Sequence, residues 1–254
     1  MKNRTIATCI FFLILSFFQS TAAAGEFVVS PITMELGPGV KSGAFTVTNA
    51  GEDKINFQIS VSEWSQDAEG KDLYTETRDI VFFPKLLTVE KGEQRVVRVG
   101  LRLPAGTAEK TYRAFIEELP APRKQDAGGA RVSFVIRFAP PIFAAPAERK
   151  TAGAIDAIRL RPGQVSANVR NTGNVHFRIN SVRLRGRSAD GAELFNSEID
   201  GGYVLHSAAR KIEVPFPKEK CADLSVIEIE VNAAGLNLNG KLDVQKGMCS
   251  PKID

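Results

Sequence analysis

The 254-residue chain is poor in the side chains that do most enzymatic chemistry. It has two histidines, His176 and His206, and neither has a cysteine or carboxylate at ligand spacing. Each reads as a surface or hydrogen-bonded histidine, so no metal site is expected. No glycine-rich segment has the spacing of a P-loop or of a GxGxxG strand-to-helix turn, and no serine sits in a nucleophile elbow. Adjacent carboxylates such as Glu117 and Glu118 point to opposite faces of a strand and cannot cooperate. Glu228 and Glu230 share a face, but Ile227, Ile229 and Val231 lie on the other side, which makes the acidic face a solvated one. An enzyme is not expected and no cofactor is implied. An all-β glycosidase stands as a third reading, and would need paired carboxylates in one cleft.

Excess charge is missing too. Removing Lys2 and Arg4 with a leader segment leaves 31 basic residues of the 33, against 29 acidic ones. That balance argues against nucleic acid or an anionic membrane as the main partner. Long apolar runs are confined to the start. Met1-Lys-Asn-Arg4 is basic, Ile10 to Phe18 is apolar, and Ala22-Ala-Ala24 is small. This is the pattern of a secretory signal, with cleavage expected after Ala24. Its apolar core is shorter than the ~20 residues of a membrane-spanning helix. An exported chain with no integral membrane segment is the expectation. Of three cysteines, Cys9 leaves with the signal, and Cys221 and Cys249 have one intramolecular pairing open to them.

Sustained helical periodicity is also absent. What the chain has instead is short alternating segments between turns. Phe27 to Leu36 is extended around Pro31; Phe45 and Val47 share a face; Ile55, Phe57, Ile59 and Val61 alternate and lead to Trp64. Ile80–Phe83, Leu87–Val89, Val96–Leu101 and Thr111–Leu119 follow. After a linker or hinge at 144–150 come Ile158–Leu160, Val165–Val169, Val175–Ile179, Val182–Leu184, Leu194-Phe195, Tyr203–Leu205, Ile212–Val214, Val226–Val231 and Lys241–Val244, with a turn expected at Asn237–Gly240. Two runs of about seven short strands, each near 100 residues, predict an all-β fold of two immunoglobulin-like β-sandwich domains in tandem. The boundaries are 1–24 for the signal, 25–146 and 147–254. A single large barrel is the alternative. One turn recurs: Thr46-Val-Thr-Asn-Ala-Gly and Ala167-Asn-Val-Arg-Asn-Thr-Gly both read strand, Asn-x-Gly, strand.

The segment Arg131 to Pro146 carries the functional question. Val132, Phe134, Ile136 and Phe138 fall on one face of a strand, and a Pro/Ala run that cannot continue a regular ladder follows. Burying each such side chain is worth roughly 1.5–3 kcal/mol. Either the chain's own core buries them or another protein does. The polar, glycine-rich stretch Ala121 to Gly129 before them reads as a flexible loop. Arg113 in the preceding strand and Arg137 in this one are ordinary surface arginines on the bland reading. On the sharper one they lie in an interdomain cleft and bind a carboxylate with the guanidinium fork.

These residues resemble the PapD-like periplasmic pilus-assembly chaperones of chaperone–usher systems. The resemblance rests on Leu87-Thr-Val-Glu-Lys-Gly-Glu-Gln-Arg-Val-Val-Arg98, on Tyr112-Arg-Ala-Phe-Ile-Glu-Glu-Leu-Pro120, and on the alternating segment ending in Ile142-Phe143 before Pro146. It implies a non-enzymatic periplasmic protein that lends Val132, Phe134, Ile136 and Phe138 to a pilus subunit lacking its last strand, and delivers that subunit to an outer-membrane usher. It also implies a structural ion pair at Glu118, near the domain junction, and allows self-association through the same edge strand. The family's usual carboxylate anchor, an Arg in the first strand and a Lys late in the edge strand, aligns with Met34 and Pro141. An Arg often found before the interdomain proline is replaced by Ala145. The resemblance is therefore to a divergent, archaic-like branch, with Arg113 and then Arg137 as substitute anchors. The rival class is a secreted adhesin or carbohydrate-binding protein, which predicts ligand contacts from loop aromatics such as Trp64 and Tyr203.

Overall fold

The computed structural model describes residues 27–104, 106–120, 134–245 and 247–249. The signal segment, the loop at 121–129 and Val132 lie outside the described residues. Eleven strands build the first half: β1 (Phe27–Ser30), β2 (Met34–Leu36), β3 (Ser42–Asn49), β4 (Ile55–Gln66), β5 (Asp72–Glu76), β6 (Ile80–Phe83), β7 (Leu86–Val89), β8 (Gln94–Leu101), β9 (Lys110–Glu118), β10 (Arg137–Phe138) and β11 (Pro141–Ala144). One sheet runs β1-β3-β8-β6. The other runs β2-β11-β9-β4-β5, with β7 on β4 and β10 on β9. Alternation explains the core between them. Phe45 and Val47, Phe57 and Ile59, Val97 and Val99, and Tyr112, Ala114 and Ile116 take every second position and are buried.

The second half repeats the plan: β12 (Gly153–Arg161), β13 (Gln164–Asn171), β14 (Phe177–Arg187), β15 (Glu193–Asp200), β16 (Tyr203–Val204), β17 (Ala209–Pro215), a 3-10 turn at Lys218–Asp223, β18 (Val226–Ala233) and β19 (Leu236–Asp243). Its sheets run β12-β13-β17 and β15-β14-β18-β19, with β16 on β14. A separate core of Val165, Phe177, Ile179, Leu184, Ile227 and Ile229 fills it. The architecture is all-β, two sandwiches in tandem. Among the described residues no helix is long and apolar enough to cross a membrane.

Four local expectations change. The stretch Phe27–Leu36 is two strands, because the chain crosses between sheets at Pro31: β1 pairs with β3, β2 with β11. Val175–Ile179 and Val182–Leu184 merge into β14, which absorbs a bulge between Ile179 and Ser181. The turn expected at Asn237–Gly240 lies at Ala234-Gly235, where Gly235 has φ +74°. A two-residue hairpin needs positive φ there, and Gly supplies it without strain. Asn237 and Asn239 sit within β19, alternating with Leu236 and Leu238. Finally, the Pro/Ala run does continue the sheet. Pro141–Ala144 is antiparallel to β9 and parallel to β2. Proline is tolerated at a strand's first residue, where its missing N–H breaks no ladder bond.

Cys221 and Cys249 are bonded, tying the 3-10 turn to the segment after β19. Closing a loop with a sequence separation of 28 residues stabilises by about 3 kcal/mol in the chain-entropy model. Paired Cys221→Ser and Cys249→Ser substitutions should lower the unfolding free energy of the second domain by that amount, measured by denaturant unfolding.

Asp79, after β5, accepts hydrogen bonds from Lys110 Nζ at 2.8 Å and Tyr112 Oη at 2.9 Å. The Lys110 hydrogen bond, against the opposing effect of burial, holds the Asp79 carboxyl below the usual carboxylate range. The same bond raises Lys110, and burial followed by Asp79 drives the Tyr112 hydroxyl far above its ordinary value. A carboxyl more acidic when folded stabilises the native state at neutral pH and ceases to do so as pH falls through its folded pKa. Asp79→Asn should therefore destabilise the first domain near pH 7, and the difference should close as the pH falls below the usual carboxylate range. Urea unfolding in the two pH ranges measures it.

Candidate functional site

β9 is the strand on which the site is built. Its even positions Tyr112, Ala114 and Ile116 face the first core. Its odd positions Thr111, Arg113, Phe115 and Glu117 face the other way, toward the second domain at one end and the open edge at the other. β10 pairs with β9 as Arg137↔Glu117 and Phe138↔Ile116, and Glu118 N also donates to Ile136 O at 3.0 Å. Among the described residues nothing pairs with the other side of β10. One step further on, β11 is closed on that side by β2.

The four alternating residues do not share one environment. Phe138 packs against the chain's own core. Ile136 is half-buried. Phe134 is 84% exposed and its neighbour Val135 is 45% exposed. Among the described residues of this segment before Pro140, only Arg137–Phe138 is laddered. Val132 falls outside the described residues.

Arg113 is half-buried and tightly held. Its guanidinium lies 3.8 Å from the ring centroid of Trp64, and Nη1 donates to Ala139 O at 2.7 Å, one residue beyond β10. Its Nε and the Trp64 Nε1 are buried N–H donors with no acceptor among the described residues. Native structures rarely leave such groups unmade. Arg137 is exposed, stacks over Phe115 at 3.9 Å and pairs with Glu117 at 3.3 Å. Tyr74 on β5 meets Phe115 edge-on. Burial and then Asp72 push the Tyr74 phenol up, while Arg113 and Arg137 pull it down. Both guanidiniums thus act on one phenol. Arg113 is thus a cation held among aromatic faces, with Arg137 exposed on the same side of β9.

Among the described residues Glu118 has no ion-pair partner. Glu118 pairs in register with Phe57 at the end of β9 remote from the junction, and among the described residues the acid bonded to an arginine there is Glu117. At the junction the carboxylate is Glu109. It is 7% exposed, accepts from the His176 backbone N at 2.9 Å, and lies 2.7 Å from His176 Nδ1. The His176 ring stacks on Phe143 at 3.6 Å. His206 Nδ1 meets Gly173 O at 2.9 Å. The His176 contact crosses between the domains and the His206 contact lies within the second; neither was visible in the sequence, because the partners lie 67 and 33 residues away.

Other interdomain ties hold the linker on both sides. Arg149 pairs with Glu35 at 2.8 Å, Ala145 N donates to Leu36 O, and Asn174 Nδ2 donates to Thr107 O and Glu148 O. The stretch expected to be a hinge is thus bonded to both domains. Trp64 and Tyr203, the loop aromatics of the rival reading, are in the interface. Trp64 is 2% exposed within β4, in a cluster with Phe143, Leu205 and Ala208 against which Tyr203 packs. The usual anchor positions are closed: Met34 and Pro141 are both buried in the first domain.

These features define a class: tandem β-sandwiches joined by hydrogen bonds and ion pairs, with a short edge strand left open beside a basic, aromatic face. The first domain belongs to the PapD-like pilus-assembly chaperones, a family of chaperones rather than enzymes. The family description "Pili and flagellar-assembly chaperone, PapD N-terminal domain" matches residues 26–150. No curated protein sequence matches the chain. Solved structures share its fold. One comes from the complex of the chaperone CsuC with the tip subunit CsuE of the archaic chaperone-usher Csu pili of Acinetobacter baumannii: 22% identity, 84% of this chain, 98% of that chain, TM-score 0.58. The class 5 fimbriae chaperone CfaA gives 15% identity, 86% and 99% coverage and a TM-score of 0.54. The complex of the Salmonella enterica pilin SafA with the chaperone SafB gives 14% identity, 87% and 98% coverage and 0.53. At these identities the likeness is one of fold.

Proposed function

We propose that the protein is a periplasmic chaperone that captures a pilus subunit by strand addition and passes it to an outer-membrane usher. The observation that carries this reading is the open side of β10, continued by Phe134 at 84% exposure. An unpaired edge with a large exposed apolar side chain is an aggregation hazard unless a partner covers it. A subunit strand laid along residues 132–138 gains ladder hydrogen bonds, and Val132, Phe134 and Ile136 enter its groove. Phe138, already packed on the chaperone's own core, forms the base of that row. β2 closes the edge at Ile142, and Pro140 and Pro141 offer no N–H, so the added strand stops at Ala139. Arg113, bonded to Ala139 O, stands at that stop. It is the first choice to bind the subunit's terminal carboxylate, with Arg137 second. The archaic-like branch fits an anchor on β9 in place of Met34 and Pro141.

Co-expression in the periplasm with the short secreted proteins encoded beside its gene tests the reading. One of them should co-purify in a stoichiometric complex and be degraded or aggregated when the chaperone is omitted. Accumulation of every such protein without the chaperone overturns the proposal. Free chaperone pairing through the same edge should give a dimer that dissociates when the subunit binds, which sedimentation measures.

A further inference from the structure

We infer that the second domain is part of the anion site: Tyr203 is a positioning residue that fixes the plane of the Arg113 guanidinium through Trp64. The inference rests on the reading of Arg113 as a carboxylate anchor and adds what makes that anchor rigid. A guanidinium recognises a carboxylate by two parallel hydrogen bonds, so its orientation matters as much as its charge. Arg113 is stacked on Trp64 at 3.8 Å, and its plane therefore follows the indole. The indole is held at its flank, next to the guanidinium. Tyr203 meets it edge-on at 5.4 Å and 85°, and Leu205 and Ala208 complete the apolar cluster around it. Tyr203 is itself 5.7 Å from the Arg113 guanidinium and 5.8 Å from that of Arg178.

The loop carrying Tyr203 is clamped to the same strand that carries Trp64. Gln66 Nε2 donates to Tyr203 O at 3.0 Å, and Leu205 N donates to Gln66 Oε1 at 3.0 Å. One side-chain amide thus makes both bonds of a ladder rung between the domains. Beyond it, Gly70 has φ +83° and lies so close to β17 that a Cβ there would sit 2.9 Å from Arg210 Cα. The β4–β5 end of the first domain is therefore seated on the second domain at Trp64, Gln66 and Gly70. Thr111 Oγ1, two residues before Arg113, donates to Trp64 O and joins β9 to this frame. The arginine, the platform under it and the brace beside both come from β9, β4 and the second domain in turn.

The chain's single tryptophan makes the site observable, because one indole N–H resonance reports it. The full-length mature protein is titrated with acetate at constant ionic strength, with acetamide as the uncharged probe. Acetate should shift the indole resonance saturably and acetamide should not. Arg113→Ala should abolish the acetate response. Tyr203→Ala should weaken acetate binding about fivefold, the equivalent of one edge-to-face contact, while Tyr203→Phe restores it. Gln66→Ala, which keeps every ring and removes the clamp, should act in the same direction and serves if Tyr203→Ala fails to fold. Wild-type acetate affinity in Tyr203→Ala, or in Gln66→Ala where it stands in, overturns the positioning role alone. A response that survives in Arg113→Ala, or that acetamide reproduces, overturns the anchor reading beneath it.

Discussion

Replacing Phe134 by aspartate should abolish subunit capture while leaving the melting temperature of the free protein unchanged. Phe134 is 84% exposed, so the folded chain has little burial to lose there. Surface substitutions of that kind usually stay within about 0.5 kcal/mol. Capture is where the cost falls. Burying a phenylalanine in a groove is worth roughly 1.5–3 kcal/mol, and a carboxylate in its place must be desolvated without a partner. Loss of both terms weakens binding by at least about a hundredfold, since each 1.4 kcal/mol is a factor of ten. Ile136→Asp behaves differently. Ile136 is half-buried in the free protein, so putting a carboxylate there should cost native stability as well as capture. Pull-down of the co-expressed subunit and thermal melting, run on both single variants, separate the two effects. Phe134→Asp that binds like wild type removes the donor-strand reading. Phe134→Asp that lowers the melting temperature by several degrees assigns the side chain to the chaperone's own fold.

Much of this was readable from period-two alternation, and the limits of that signal are physical. β4 and β18 were legible because Phe57, Ile59 and Val61, or Ile227, Ile229 and Val231, each bury one face against a core within the same domain. Alternation says which face is apolar. It does not say what covers that face, which is why Phe138, Ile136 and Phe134 look equivalent in sequence, although in space the first two are half-buried, Phe138 against the core, and Phe134 is exposed. Pro141 was discounted as a ladder breaker because a missing N–H matters only if a partner needs it, and which partner is present is a tertiary fact. Trp64 shows the same gap. It follows the inward-facing residues of β4 but sits on the outer face, where it reads as a ligand-binding aromatic until Tyr203 and Leu205 are seen against it. Arg113 was nameable as a candidate from its place two residues from Phe115 on β9. Its platform and brace come from residues 49 and 90 positions away in the chain, a distance no local pattern spans. Glu109 and His176 carried no motif at all.

The Asn-x-Gly turn found twice in the sequence leads to the second large effect: Asn171→Ala should destabilise the second domain by roughly 3–6 kcal/mol, from three buried groups left unsatisfied at about 1–2 kcal/mol each. Asn171 is 3% exposed, yet its side chain is fully used. Nδ2 donates to Val175 O at 2.8 Å and Val204 O at 3.0 Å, and Oδ1 accepts from Gly173 N at 2.9 Å. Asn49, 0% exposed, repeats the arrangement with Asp53 O at 2.8 Å, Val89 O at 3.0 Å and Gly51 N at 2.9 Å. Both asparagines end a strand, close a turn on their own backbone, and reach across to a third strand. The likeness of the two halves is thus one of hydrogen bonding, and the weak sequence repeat is its trace. Aspartate cannot replace asparagine, because ionised it has no N–H for the two carbonyls. The second turn has a further duty. A Cβ at Gly173 would lie 2.1 Å from Lys150 O, and Thr172 N and Asn174 N donate to Ala152 O and Lys150 O. Asn171→Ala should therefore loosen the interdomain linker, and Asn49→Ala, with equal loss in its own domain, should not. Denaturant unfolding of each variant gives the stability loss. Amide exchange at Thr172 and Asn174 gives the linker effect, and equal protection in the two variants would show the turn to be independent of the junction.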